Sequence, residues 1–222
     1  MLSENKLILT TDGSHTVLNS GIGETYHSEN GAINESLHVF IQNGLSLINK
    51  TEINILEIGF GTGLNALLTY QFAAANNKNI NYFTLEKFPL KKGLVKQLNY
   101  TEKLSVDNEF FLKLHDLGWD NESNISPNFR LIKRKSDLLD YNFNELKNID
   151  LVFFDAFSPS KQPELWTKNI FDKIYNAMSV SGLLSTYSSA GVVKRALREV
   201  GFKVKRKPGP KGKFHMLNAT KE

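Results

Sequence analysis

The sequence predicts an open α/β sheet, mostly parallel, with helices on both faces, an antiparallel hairpin at its C-terminal side and a small β element ahead of it. Three observations carry this. From residue 53 onward, apolar runs of strand length alternate with segments of helical period, the pattern of parallel strands linked by crossover helices. The last two runs are joined only by Pro208-Gly209-Pro210-Lys211-Gly212, too short for a parallel crossover, so they pair antiparallel. The first run of the alternation leads into Gly59-Phe60-Gly61-Thr62-Gly63 and a helix start, a turn whose glycines let the backbone bend sharply and approach a ligand closely.

The elements follow in order. Lys6-Leu7-Ile8-Leu9-Thr10 and Thr16-Val17-Leu18 flank Asp12-Gly13, a hairpin signal. From Asn34 to about Asn49, Leu37, Phe40, Ile41, Leu45 and Ile48 recur at helical spacing. Strand 53–58 leads to a helix near 64–75, and strand 81–86 to helical material near 90–117. Segment 87–128 exceeds what one connecting helix requires. It is either an extra helix pair on the sheet edge or part of a recognition surface, with 117–123 as a surface loop. Strand 129–134 is followed by a short polar segment, strand 149–154 by a helix near 164–178, and strand 182–187 by a helix near 190–199. Strands near 202–207 and 213–219 close the chain.

The 222 residues suit a single domain, 1–222, with a β extension over 1–33 and a Rossmann-like core over 34–222. Apolar residues make up 41%, and no run approaches the roughly 20 that a membrane-spanning helix needs. The opening Met1-Leu2-Ser3-Glu4-Asn5-Lys6 lacks the apolar stretch and cleavage site of a signal peptide. The absence of cysteine excludes disulfides, cysteine–zinc sites and thiol nucleophiles. A cytoplasmic protein with no metal and no membrane partner is expected. Net charge is only +4, yet Lys194–Lys213 holds nine bases and one acid, Glu199. This block is either a phosphate-facing patch, including Lys194, Arg195, Lys205 and Arg206, or a solvated helix and hairpin.

Ligands of an open parallel sheet bind beyond the carboxyl ends of its strands. Acids stand at four such ends: Glu57, Glu86, Asp137 and Asp155. One alone would read as a helix cap or a surface group. Four in succession, the first tied to a glycine turn, describe a nucleotide-type cofactor site. The dinucleotide fingerprint needs its third glycine where Leu64 stands; an acid ahead of G-x-G-x-G is instead the form of S-adenosylmethionine (SAM) methyltransferases. In that class I arrangement a mostly parallel sheet ends in one antiparallel strand. Glu86, 23 residues after Gly63, is placed for a ribose diol. Asp137 is placed for the adenine amino group and Glu57 for the positive methionine end. Gly59, Gly61 and Gly63 let backbone N–H groups reach the cofactor carboxylate. Asp155 opens the most distinctive stretch, Asp155-Ala156-Phe157-Ser158-Pro159-Ser160-Lys161-Gln162-Pro163-Glu164-Leu165-Trp166. An acid beside a sulfonium orients a nucleophile, best a cationic amine. At an ordinary aspartate pKa of about 3.9 it orients rather than abstracts a proton. Phe157 and Trp166 either stack on a base or a cofactor ring, or pack beneath the loop.

The chain resembles the methyltransferase domain of the MnmC family. The resemblance rests on Tyr26-His27-Ser28-x-x-Gly31-Ala32-x-x-Glu35-Ser36-x-x-Val39-Phe40, Leu56 to Asn65, Glu86-Lys87-Phe88-Pro89-Leu90, Asp155-Ala156-Phe157-Ser158-Pro159-x-x-x-Pro163-x-x-Trp166 and Ser188-Ser189-Ala190-Gly191-x-Val193-x-Arg195. It runs from about Tyr26 to about Met216. It implies methyl transfer from SAM to the aminomethyl group of a tRNA wobble uridine, with Asp155 catalytic and the anticodon loop as partner. Asn65, Lys87, Tyr26 and Ser28 join the cofactor set through these motifs, and Glu35 the substrate set. Tyr26, Ser28 and Glu35 either close over the cofactor or brace the N-terminal element. The family's bifunctional members carry a flavin-dependent oxidoreductase domain. This chain stops at Glu222, and the expectation is a stand-alone methyltransferase without that activity. Two rivals are an aminopropyltransferase of the spermidine-synthase type, which has no need of a basic patch, and a non-catalytic tRNA-binding module with a decayed pocket.

Overall fold

The structure, a computed structural model, describes residues 5–222; the first four residues of the opening segment lie outside it. Strands β1 (Lys6–Leu9), β2 (His15–Asn19) and β3 (Glu24–Thr25) form a separate antiparallel sheet in that order. Its first turn is closed by Asp12, whose Oδ1 accepts from the Thr10 hydroxyl at 2.8 Å and the Ser14 N–H at 3.0 Å. This is the side-chain chemistry that makes Asp-Gly a turn.

The helix expected over 34–49 is broken into pieces. Helix α1 (Ala32–Ser36) passes into a π-helical turn over Leu37–Gln42, and a 3₁₀ turn over Leu45–Leu47 follows. The Asn43 side chain bonds the His38 carbonyl at 2.9 Å, competing with the helical ladder. Gly44 lies so close to the Phe40 carbonyl that a Cβ there would stand 2.3 Å from its oxygen.

The main sheet contains β4 (Glu52–Ile58), β5 (Asn79–Glu86), β6 (Glu122–Ser126), β7 (Phe129–Lys135), β8 (Ile149–Phe154), β9 (Met178–Thr186), β10 (Phe202–Pro208) and β11 (His215–Lys221). Their order is β10-β11-β9-β8-β4-β5-β7-β6. Neighbours from β9 to β7 are parallel; β11 and β6 are antiparallel to theirs. Two expectations are corrected here. The antiparallel strand of the C-terminal hairpin does not end the sheet: β11 is inserted between β9 and β10, and β10 is the edge. Part of the presumed loop 117–123 belongs to β6, a polar edge strand in which only Ile125 is buried, so its sequence lacks apolar alternation.

Period-two alternation sends Ile53, Ile55, Leu151 and Phe153 to one face of the sheet and Leu56, Ile58, Val152 and Phe154 to the other. Helix α2 (Leu64–Asn76) packs in the first layer. Helices α3 (Lys92–Val95), α4 (Tyr100–Leu104) and α5 (Asn108–Asp116) join it through Val95, Tyr100, Phe111 and Leu114. Segment 87–128 thus packs on the sheet through its helices, while Lys87 and Phe88 at its start line the cavity described below. Helices α6 (Lys168–Ala177) and α7 (Gly191–Val200) cover the second face. In α7, Val193, Ala196 and Leu197 face inward, which turns Arg195 and Arg198 to solvent and leaves Lys194 half-buried.

Candidate active site

The carboxyl ends of β4, β5, β7 and β8 open into a cavity of about 390 Å³. Its floor is the glycine turn with Glu86, Asp137 and Asp155. Its roof is the N-terminal sheet with Glu35, Tyr187 and Lys213. The turn is shaped for close approach. A Cβ on Gly59, at φ 91°, would lie 2.9 Å from the Asp155 carbonyl oxygen, and one on Gly61, at φ 49°, would lie 2.7 Å from the Tyr26 ring. The glycine N–H groups, however, are spent within the chain. Gly59 donates to Leu85 O at 2.9 Å, Gly63 to Phe60 O at 2.8 Å and Gly61 to Glu86 Oε2 at 3.0 Å. The glycines' own N–H groups are thus engaged within the chain, and their positive φ and close approaches give these positions a steric role. Gly63 caps α2 and lies off the cavity wall.

Each acid has its own environment. Glu86 receives two backbone N–H groups, from Gly61 and from Phe88 at 2.7 Å; burial still holds its carboxyl above the ordinary value. Asp137 accepts from Lys87 Nζ at 2.5 Å and Leu139 N–H at 3.0 Å. Burial works against its charge, and these donors hold its pKa below the ordinary range. Lys87 lines the same rim.

Glu57 is fully buried and forms no part of the cavity wall. The alternation of β4 points it away from the opening, and its Oε2 accepts from the Thr84 hydroxyl at 2.7 Å. Burial first, then the nearby Asp155 charge, push its pKa up to about 8, so it sits protonated behind the floor. This removes it from direct contact with a methionine ammonium.

Asp155 follows β8 and faces the cavity. Burial first, then the negative charge of Glu35, raise its pKa to about 7, against the opposing effects of Asn65 and Lys213. The reading of Asp155 as merely orienting is thereby extended, because a carboxylate that titrates near neutrality is a competent base. Asn65, expected at the cofactor, is buried behind Asp155 and donates Nδ2 to its Oδ2 at 2.8 Å.

Phe157 lines the cavity and meets Tyr26 edge to face at 5.0 Å. Trp166 does not stack there. It is 1% exposed, packs on Phe154 at 4.7 Å, and donates Nε1 to Phe157 O at 2.8 Å, bracing the loop from below. Tyr26 and Ser28 line the wall, and the Ser28 N–H fixes Glu35 Oε2 at 2.7 Å.

Four roof or clamp residues were given no site role from the sequence, although His27 stands in a family motif and Lys213 in the basic block. Glu24 accepts from the Ser158 N–H at 3.1 Å and its hydroxyl at 2.8 Å, tying β3 to the Asp155 loop. His27 Nε2 meets the Thr62 hydroxyl at 2.7 Å, and His115 Nε2 meets the Thr62 carbonyl at 3.1 Å, so two histidines clamp the turn. Burial lowers both their pKa values to about 4, and both stay neutral. Lys213, counted in the basic block, turns inward: Nζ is 2.5 Å from Glu35 Oε1 and 4.0 Å above the Tyr187 ring.

The remaining bases divide. Lys194, Arg195, Arg198 and Arg206 gather on the α7 side, where the first of them feels the other three, Arg206 most, and its pKa is lowered. Lys205 lies on the opposite face of β10, one residue from Arg206. It stands apart from the cluster in which it was expected.

The site fits SAM in its donor set: an acid with fixed geometry for a diol, a second beside it at the rim, and a glycine turn of minimal bulk. Among the described residues no group of His, Cys, Asp or Glu is arranged to hold a metal, and no helix is long and apolar enough to cross a membrane.

Comparison with known proteins agrees. Residues 131–222 match a family described as S-adenosyl-L-methionine-dependent methyltransferase. The chain is 32% identical to the tRNA 5-methylaminomethyl-2-thiouridine biosynthesis bifunctional protein MnmC of Legionella pneumophila (strain Lens), over 90% of this chain and 34% of that protein. It is 34% identical to the protein of the same name in Nitrosospira multiformis, over 88% of this chain and 34% of the other. It therefore spans about a third of the length of these curated relatives. Among solved structures, MNMC2 from Aquifex aeolicus superposes with a TM-score of 0.80 at 28% identity, covering 98% of this chain and 70% of that one. Spermidine synthase from Thermotoga maritima shares the fold alone, with a TM-score of 0.56 at 16% identity over 99% of this chain and 72% of that one.

Proposed function

Because the chain belongs to the S-adenosyl-L-methionine-dependent methyltransferases, as the counterpart of one third of the bifunctional MnmC proteins, we propose that it methylates the aminomethyl group of 5-aminomethyl-(2-thio)uridine at the wobble position of tRNA. The observation that carries this reading is Asp155. It is a half-buried carboxyl facing the cavity, oriented by Asn65, with its pKa raised to about 7 by desolvation and by the charge of Glu35. An amine nucleophile arrives largely as its ammonium form and must lose a proton before it can attack. Asp155 attracts the cation, takes the proton and leaves the nitrogen lone pair free.

SAM, when bound, supplies a methyl group made electrophilic by the sulfonium. Glu86 would hold the ribose diol and Asp137 the adenine amino group, with Lys87 keeping Asp137 ionised. Gly59 and Gly61 give the backbone clearance, and Tyr26 and Phe157 form the apolar wall between cofactor and base. Holding both reactants in line is the larger part of such catalysis. The α7 cluster of Lys194, Arg195, Arg198 and Arg206 supplies phosphate contacts for the anticodon arm.

The test is transfer of tritiated methyl from SAM to bulk tRNA lacking the modification, followed by nucleoside analysis. Label in 5-methylaminomethyl-(2-thio)uridine is expected. Transfer to putrescine from decarboxylated SAM, with none to tRNA, would overturn the reading.

A further inference from the structure

The cavity holds three charged groups at its amine end, and only one is needed for the chemistry described. Glu35 is 6% exposed, yet both its oxygens are engaged: Oε2 by the Ser28 N–H at 2.7 Å and Oε1 by Lys213 Nζ at 2.5 Å. Lys213 enters from the β10–β11 connection, 178 residues away in sequence, and lies 4.0 Å over the Tyr187 ring. Tyr187 in turn donates its hydroxyl to Ala156 O at 2.9 Å, the residue next to Asp155. The ammonium, the carboxylate and the ring thus form one cation-binding box that opens on the same cavity as Asp155. Left unpaired, Glu35 would be a second anionic trap for the substrate ammonium, away from the base.

We propose that Lys213 is a positioning residue for this reaction: it neutralises Glu35, so that Asp155 is the one carboxylate left to receive the substrate ammonium. The inference rests on the methyltransferase reading only for the identity of that ammonium. The charges that face Asp155 are few. Glu57 and Tyr82 approach from the sheet, Tyr187 from beyond β9, Glu35 from α1 and Lys213 from the hairpin. Glu57, Tyr82 and Tyr187 are all shifted toward their neutral forms by burial. Glu35 and Lys213 are the opposed pair that sets the field at Asp155, the first raising and the second lowering its pKa.

The experiment is a carbon-13 carboxyl NMR titration of aspartate-labelled protein without cofactor, with Asp155 assigned through Asp155→Asn. Lys213→Met is expected to raise the Asp155 midpoint by about one pH unit. Adding Glu35→Gln to Lys213→Met is expected to return it to the wild-type value, and Lys213→Arg to leave it there. Glu35→Gln alone, which leaves Lys213 unpaired, is expected to lower it; this arm keeps the test decisive if Lys213→Met does not fold. An unchanged midpoint in the single variants, or no return in the double variant, overturns the proposal. In parallel, the acid limb of the pH–kcat/KM profile on tRNA is expected to move with the NMR midpoint. A wild-type protein inactive on tRNA would sink the substrate reading while leaving the titration result standing.

Discussion

The floor and the roof of the cavity are built in different ways. The floor is held by the sheet. Glu86 is bonded by two backbone N–H groups and Asp155 follows directly from a strand buried along its length. Register places these groups at the strand ends. The roof is held by side chains across long loops: Glu24 to Ser158, 134 residues apart, and Lys213 to Glu35, 178 apart. It contributes charge and closure rather than a frame. A rigid floor under a side-chain-tied roof suits a site that keeps its cofactor in one pose and admits a bulky second substrate from above.

The largest effect should come from Asp155. Asp155→Ala is expected to lower kcat by about 10²–10⁴ while SAM affinity, read by calorimetry, stays close to wild type. Loss of SAM binding in that variant would make Asp155 part of the floor's frame instead. Glu86→Ala reverses the split: SAM affinity falls by roughly 10- to 100-fold, the loss of about 1.5–3 kcal/mol from a charged hydrogen-bonding group, and kcat at saturating SAM changes less.

Next in size is the effect on the proposed contact with tRNA. Replacing Arg195 and Arg206 together by Ala is expected to weaken tRNA binding and reduce its salt slope by roughly 1.5. Lys205→Ala, on the other face of β10, is expected to change both much less. Equal effects would show that the RNA wraps the edge strand. Lysines there have a bland task as well, because charge on an exposed edge discourages pairing with another sheet.

The smallest effects are on stability, and they separate the two walls by pH. Behind the floor, Glu57 has a folded pKa of about 8 against an ordinary 4.5. The folded state therefore holds more protons between these values, and stability falls as pH rises through them. Under the roof, His27 has a folded pKa of about 4 against 6.5. The unfolded state binds more protons in that window, so stability falls as pH drops from 6.5 toward 4. Denaturant midpoints across pH are expected to lose part of the alkaline slope in Glu57→Gln and part of the acid slope in His27→Gln. Asp155 and His115 retain the remainder.

The floor was far more legible in the sequence than the roof, for physical reasons. Period-two apolar runs, a glycine turn and acids at strand ends are local signals, and they located Glu86, Asp137 and Asp155 on one rim. The strand-end signal did not show that Glu57 points behind the floor, nor the motif resemblance that Asn65 lies behind Asp155, because adjacent residues on a strand or a helix end can face opposite sides of a floor one residue thick. Trp166 carried two readings, and only packing against Phe154 and Phe171 decides for the core. Lys213 was hidden by its company: among nine bases, nothing local distinguishes the one that turns inward. Strand β6 escaped because an edge strand exposed to water need not alternate.

The position of β11 bears on how the chain is made. It lies inside the sheet, between β9 and β10, though it follows both of them in sequence. A nascent chain on the ribosome can pair β4, β5, β7, β8 and β9 while β9 still exposes one flank. That flank is covered only once residues His215–Lys221 emerge. The same late segment brings Lys213 to Glu35, so the amine end of the cavity is assembled at the moment the sheet closes. A chain grown only as far as β10 would carry the floor with an open strand edge and without the Lys213 partner of Glu35.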